Sequence, residues 1–375
     1  MAASQQDDPE ALAELRATVR GLVERWREAG RYTPRADAWL RGYDREFTTA
    51  LADAGLIGLT WPARVGGAER SNLARLVVTE ELLRAGAPVA AHWFADRQIG
   101  PAILREGTTE LQQEFLPRIV AGELTFCLCM SETEAGSDLA AVRTRAVHDG
   151  DDWRISGTKI WTSQAHRSEY AYVLARTDAG GEKHEGLTEF VLDMGADGVE
   201  VRPIIDLQGE HHFNEVVFDQ VTVPDRWVIG TVGNGWTQVT EQLAFERGGP
   251  ERVLSTYPLL EVLLTHAADG RDVEVVGQLV SRLLSLRSML WDIALAMDRG
   301  AAPVKEAAMA KQLGNAFEHD LAETARYLLG EVPTPPGPGT SALLGDALLA
   351  SPGFSIRGGT SEVLGTVIAR EELPG

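Results

Sequence analysis

Cys127-Leu-Cys-Met-Ser-Glu-Thr-Glu-Ala-Gly-Ser-Asp138 is followed by Asp149-Gly-Asp-Asp-Trp-Arg-Ile-Ser-Gly-Thr-Lys-Ile-Trp-Thr-Ser-Gln-Ala165 and then by Phe213-Asn-Glu-Val-Val-Phe-Asp-Gln-Val-Thr-Val-Pro224. These three stretches decide how the rest of the chain is read. The first runs out of a strand-like segment into a loop of small residues, where backbone amides and hydroxyls can approach an anionic or polar group without obstruction. The second is a strand and a turn that end in Trp161 beside two hydroxyls, Thr162 and Ser163. An aromatic surface next to hydrogen-bonding groups suits a flat ring with polar edges. The third alternates apolar and polar residues and reads as a long strand.

Working outward, alternating or β-rich runs at 141–148, 152–156, 170–176, 188–193, 199–203 and 215–224 are separated by turn signals such as Asp149-Gly150 and Asp197-Gly198. This texture predicts an antiparallel barrel or sandwich. On the N-terminal side, apolar residues at helical spacing predict helices at 10–28, 39–53, 71–85, 99–106 and 109–121, the last capped through Thr108, Thr109 and Gln112. On the C-terminal side the same spacing predicts helices at 238–243, 252–268, 273–299, 303–329 and 342–349, as in a helix bundle. The expected layout is therefore α+β in three domains: an N-terminal α-helical domain at 1–122, a central β domain at 123–232 and a C-terminal four-helix-bundle domain at 233–375.

Composition narrows the partners. The chain has 375 residues, 35 of them basic and 55 acidic, for a formal net charge of −20. With no cluster of Lys and Arg, nucleic acid and anionic membranes are poor partners. No apolar run reaches the length of a membrane span, and Met1-Ala-Ala-Ser-Gln-Gln-Asp-Asp8 lacks the regions of a signal peptide, so a cytoplasmic protein is expected. The two cysteines, Cys127 and Cys129, read as buried apolar thiols. The histidines, among them His92, His148, His166, His211 and His212, form no ligand pattern in sequence, so no metal is expected.

Four motifs in order resemble the acyl-CoA dehydrogenase flavoprotein family over nearly the whole chain. They are Met130-Ser-Glu-Thr-Glu-Ala-Gly-Ser-Asp138, Gly157-Thr-Lys-Ile-Trp-Thr-Ser163, Phe213-Asn-Glu-Val-Val-Phe-Asp219 and Ile356-Arg-Gly-Gly-Thr-Ser-Glu362. The resemblance implies helix, β domain, helix, with FAD as cofactor and α,β-dehydrogenation of an acyl-CoA thioester to the trans-2-enoyl thioester. It places Leu128, Met130, Ser131, Gly136, Ser137, Trp161, Thr162, Ser163, Thr360 and Glu362 around the flavin. Ser137, Arg247, Gly358 and Gly359 would lie at the substrate.

One departure is informative. In many members the general base is a Glu immediately before the Gly-Thr of the C-terminal loop, where this chain has Gly358. A second pattern puts the base on the helix after the β domain, and Leu243-Ala-Phe-Glu246-Arg247 matches it. The resemblance thus implies Glu246 as base and a backbone N–H at Gly358 facing the thioester oxygen. As a plain surface carboxylate, Glu246 would instead pair with Arg247 or Arg252.

The implied partners are acyl-CoA, or an acyl group on a carrier protein, and an electron-transfer flavoprotein as acceptor. The chain has neither an Arg-x-x-x-Phe-Gly segment near 271–278 nor a Gln-x-x-Gly-Gly segment before Ser351, where many members bind the dinucleotide across a subunit interface. A homo-oligomer and a heterotetramer with a related subunit are both compatible with this. Two other readings share the fold: a flavin monooxygenase or carrier-bound acyl dehydrogenase of secondary metabolism, and a flavin-free partner subunit of a heteromeric dehydrogenase.

Overall fold

The computed structural model describes residues 8–334 and 337–373, excluding the side chains of 243–247. Seven helices come first: α1 (Pro9–Glu28), α2 (Ala38–Arg41), α3 (Arg45–Asp53), α4 (Asn72–Arg84), α5 (Ala90–Phe94), α6 (Gly100–Glu106) and α7 (Thr109–Val120). Eight strands follow: β1 (Phe126–Cys129), β2 (Arg145–Asp149), β3 (Asp152–Lys159), β4 (Tyr170–Arg176), β5 (Leu187–Asp193), β6 (Val199–Ile205), β7 (His211–Pro224) and β8 (Val228–Ile229). Then come α8 (Gly235–Arg247), α9 (Tyr257–Ala268), α10 (Val273–Asp298), α11 (Val304–Leu329), α12 (Thr340–Phe354) and α13 (Ser361–Glu372). The order helix, strand, helix is the one expected.

Local chemistry sets many of these bounds. The Asp8 carboxylate accepts from the Ala11 N–H at 2.8 Å with Pro9 in the first turn of α1, and Thr108 Oγ1 accepts from the Leu111 N–H at 3.1 Å to start α7. The single helix expected at 39–53 is instead two, α2 and α3. Gly42 lies between them so close to Pro88 that a Cβ would stand 2.8 Å from its Cα, and Asp44 restarts the helix by accepting from the Phe47 N–H at 2.9 Å. The helix expected to begin at 252 begins at Tyr257, because Gly249 and Pro250 open a short 3-10 turn, Pro250–Arg252.

The strands form one sheet in the order β6-β7-β3-β2-β4-β5-β8, with β1 beside β4. Most neighbours are antiparallel, but β1 runs parallel to β4 from Phe126↔Tyr170 to Cys129↔Val173. No pairing joins β6 to β8 among the described residues, so the sheet is open, and the expectation of a barrel is corrected in that respect. One run expected as a single strand starts differently: 141–148 begins at the end of a 3-10 turn over Leu139–Ala141 and becomes β2 only at Arg145.

The backbone gathers into two compact units. One comprises Met1–Tyr43, Glu69–Val89 and Leu243–Gly375; the other comprises Asp44–Ala68 and Ala90–Gln242. In the first, α4 is buried along nearly its whole length, from Leu73 to Leu83, including two acids. Those acids are neutralised by arginines of α1 and α10: Glu80 accepts from Arg287 at 2.6 and 3.0 Å, and Glu81 from Arg20 at 2.7 and 3.0 Å. Removing one partner of such a buried pair is costly, because the other charge stays in low dielectric. In the second unit Phe115 of α7 meets Tyr170 and Trp227 edge-on at 5.0 and 5.5 Å, while Phe126 stacks on Tyr170 at 5.5 Å. Aromatic pairs of this kind add roughly 0.5–1.5 kcal/mol each to the burial of their area and seat α7 on the sheet.

Candidate active site

In the second unit, the loop 130–138 leaves the end of β1 and is held by a buried ion pair. Lys159, with no exposed surface, donates from Nζ to the Met130 carbonyl at 2.9 Å and to Glu132 Oε1 at 2.9 Å. Glu132 also accepts from the Thr144 N–H and hydroxyl at 2.8 and 2.6 Å and from the Arg143 N–H at 2.7 Å. Burial alone would raise this carboxyl, but Lys159 and these donors outweigh it and hold it below its ordinary value. Ser131 accepts from the Ile160 N–H at 2.9 Å, so the loop is tied to the strand that leads into Trp161. Past the tie, Gly136 and Ser137 are exposed, and a Cβ at Gly136 would meet nothing within 4 Å.

The turn 161–164 is bracketed by two left-handed residues, Trp161 at φ +60° and Gln164 at φ +58°. Such backbone persists where surrounding structure fixes it, and it clusters at functional sites. Here Asn214 of β7 does the fixing. Its side chain donates to the Thr162 carbonyl at 2.9 Å, and its own carbonyl accepts from the Thr162 N–H at 3.0 Å. The Gln164 N–H donates to the His212 carbonyl at 2.7 Å. Thr162 and Ser163 are buried, whereas the indole of Trp161 is 56 % exposed and meets Phe213 edge-on at 5.7 Å. A large exposed aromatic held rigidly beside hydroxyls and an open small-residue loop fits a flavin ring.

Sequence reasoning missed Glu132, Lys159 and Asn214 as determinants of the site. A lysine directly before a turn that becomes buried is the signal that could have pointed to a buried acid. It also missed Glu189 of β5, which is fully buried and accepts from Gln238 of α8 at 3.0 Å. Burial pushes its carboxyl up to about 7 against the opposing pull of Tyr172 and Gln238. Asp206, Glu210 and His212 bring their ligand-type atoms within 4.8 Å of one another, which sequence spacing did not suggest. Asp206 accepts from the Gln208 and Glu210 N–H groups at 2.8 and 3.0 Å, so these residues close the β6–β7 hairpin.

In the first unit, the loop before α13 carries the remaining residues. Gly358 and Gly359 are consecutive left-handed positions at φ +65° and +97°. Arg357 before them donates to the buried Asp37 at 2.7 and 2.6 Å, and buried Lys311 donates to the Gly359 carbonyl at 2.8 Å. Thr360 caps α13 by accepting from the Val363 N–H at 3.4 Å. Glu362 is exposed in the first turn, its carboxyl lowered by its own backbone N–H and the Thr360 hydroxyl. The guanidinium of Arg252 lies against Gly358, where a Cβ would stand 2.6 Å from Nη2. Backbone at Glu246 and Arg247 forms the last turn of α8, and their side chains lie outside the described residues. A groove of about 1380 Å³ bordered by α1, α4, α9 and α10 contains none of the residues expected from sequence.

The chain matches the acyl-CoA dehydrogenase N-terminal domain over residues 9–123, the middle domain over 127–221 and the C-terminal domain over 274–373. It belongs to the acyl-CoA dehydrogenase family, a family of flavin-dependent oxidoreductases. It is 33 % identical over 341 residues to the acyl-CoA dehydrogenase IpdE1 of Mycobacterium tuberculosis, covering 88 % of this chain and 87 % of that protein. It is 36 % identical to acyl-CoA dehydrogenase FadE34 of the same organism, over 86 % of this chain and 45 % of that longer protein. Among solved structures, the Tcur3481-Tcur3483 steroid ACAD superposes with a TM-score of 0.85 at 27 % identity, covering 98 % of each chain. No helix among the described residues is long and apolar enough to cross a membrane.

Proposed function

We propose that the chain catalyses α,β-dehydrogenation of an acyl-CoA thioester with FAD bound and Glu246 as general base. The observation that carries this reading is the state of Gly358. It is a glycine in left-handed backbone at φ +65°, a conformation that residues with a side chain rarely adopt, so the position of the commoner base carries no carboxylate. The base must then come from elsewhere, and the last turn of α8 carries Glu246 in the family's alternative position.

The fit to flavin comes from Trp161, Thr162 and Ser163 on one side and from the open loop Met130, Ser131, Gly136 and Ser137, with Leu128 on the strand leading into it. When bound, the flavin supplies the hydride acceptor. Thr360 and Glu362 belong to the same reading at the C-terminal loop, with Ser137, Arg247, Gly358 and Gly359 toward the substrate. In this reading Glu246 takes the α-proton, and the Gly358 N–H serves as a donor to the thioester oxygen, where negative charge develops. An electron-transfer flavoprotein is the proposed acceptor.

A heteromeric assembly is favoured over a homo-oligomer by the two motifs missing near 271–278 and before Ser351. The solved relatives titled Tcur3481-Tcur3483 and ChsE4-ChsE5 complex are pairs of unlike chains, which supports the same choice. Because one of those titles names a steroid ACAD, thioesters of ring-bearing acyl groups join straight chains in the substrate screen. The test is anaerobic bleaching of the flavin by acyl-CoA thioesters, with bleaching lost in Glu246→Gln. Undiminished bleaching in that variant removes Glu246 as the base.

A further inference from the structure

Arg252 is a buried charge, 5 % exposed, that proton abstraction by Glu246 leaves without a role. Its position is built by several parts of the first unit. A Cβ on Gly249 would stand 2.3 Å from the Glu251 carboxylate, and one on Gly314 would stand 2.4 Å from the Arg252 carbonyl oxygen. With Gly358, three glycines therefore clear the space for this turn.

Trp39 supplies the floor: the Arg252 guanidinium lies 5.1 Å from its ring centroid, and its Nε1 donates to Ser255 Oγ at 3.0 Å. Ser255 in turn donates to the Glu251 carbonyl at 2.5 Å, locking the turn to the indole. Arg357 lies 4.9 Å from the same ring, but both its terminal nitrogens are committed to Asp37. Arg252, 3.9 Å from Glu251, is the guanidinium of the two that abuts the Gly358 backbone.

Resting on the acyl-CoA reading above, we propose that Arg252 stabilises the negative charge that builds on the thioester oxygen held at the Gly358 N–H. When Glu246 takes the α-proton, the C–H electron pair becomes the bond between Cα and the carbonyl carbon, and the carbonyl π pair moves onto oxygen. That oxygen gains charge while its hydrogen-bond donor stays in place. A guanidinium is a cation, and in a buried position its field is weakly screened. Because the glycines and Trp39 fix it beforehand, nothing must reorganise as the charge develops.

The test uses 3-thiaoctanoyl-CoA on the flavin-loaded holoenzyme. Sulfur at the β position acidifies the α-proton and blocks oxidation, so the bound enolate gives a long-wavelength charge-transfer band whose pH midpoint reports how well the site holds the negative oxygen. In Arg252→Gln, with flavin content and circular dichroism unchanged, the midpoint should rise by about one to two pH units. The turnover number kcat should fall roughly 10- to 100-fold with little change in KM.

Arg252→Lys keeps the charge with a different reach, so its midpoint should rise less; it supplies the reading if the Gln variant loses its flavin. A midpoint unmoved in both variants overturns the role of Arg252 and leaves the dehydrogenase reading standing. A wild-type holoenzyme that forms no band with this analogue or with a ring-bearing 3-thiaacyl-CoA removes the acyl-CoA reading and this inference together.

Discussion

Lys159 and Glu132 are the pair on which the loop 130–138 depends. Lys159 is fully enclosed, and burial by itself lowers its affinity for a proton; Glu132 opposes that, yet the net shift is downward. Replacing Lys159 with Met would leave Glu132 with its hydroxyl and backbone donors but no countercharge. The expected loss is about 3–5 kcal/mol of stability together with weaker flavin retention, read from thermal unfolding and from the flavin-to-protein ratio after gel filtration. Unchanged flavin retention would show that the loop keeps its shape without the pair. Sequence alone singled out Trp161, Ser163 and the small-residue loop as candidates, because an aromatic beside hydroxyls declares itself locally. It did not reveal Lys159, whose partner is 27 residues away, or Asn214, which is 52 residues from the Thr162 it holds. Those residue types are ordinary, and only the fold gives them partners.

At the scale of elements, the wall 161–164 behaves as an extra strip of β7 rather than as a free turn, since Thr162 and Gln164 both bond to it. Asn214→Leu removes the side-chain strap but keeps the backbone pairing. It should cost roughly 1–3 kcal/mol and weaken flavin binding about tenfold while the far-UV spectrum of the sheet is retained. Titration of the apoprotein with FAD measures this, and an unaltered affinity would mean that backbone pairing alone sets the wall. The same local logic explains which element bounds were legible. Capped starts such as those of α1 and α7 are written in neighbouring residues. The break at Gly42 is set by Pro88, 46 positions later in the chain, and openness of the sheet depends on whether its terminal strands meet, which alternation along one strand does not encode.

For the molecule as a whole, buried acids make stability depend on pH in an unusual direction. The carboxyls of Glu189 and Glu318 are pushed up by burial, to about 7 and about 8, from an ordinary value of 4.5. Between the ordinary and the raised value the folded protein keeps protons that the unfolded chain has released. Stability therefore falls as pH rises from about 4.5 through these folded values and levels off above them. Glu132, Glu81 and Glu169 are lowered instead, so their contribution is in place above the ordinary carboxylate range and is lost only on acidification below it. Glu189→Gln should flatten the decline by on the order of 3 kcal/mol between pH 5 and 8, measured from urea midpoints at each pH. An unaltered slope would place the ionisation elsewhere. The division into two units has a further consequence, for synthesis. A ribosome releases the chain in one direction, and once Gln242 has emerged every residue of the second unit is present, whereas the first still lacks everything from Leu243 onward. Until then α4, enclosed from Leu73 to Leu83 in the finished protein, awaits α9 and α10 with only α1 to shield it. The nascent chain thus carries every residue of the sheet unit and a half-covered apolar helix at the same time, and the interval between residues 242 and 298 is when a chaperone has most to protect.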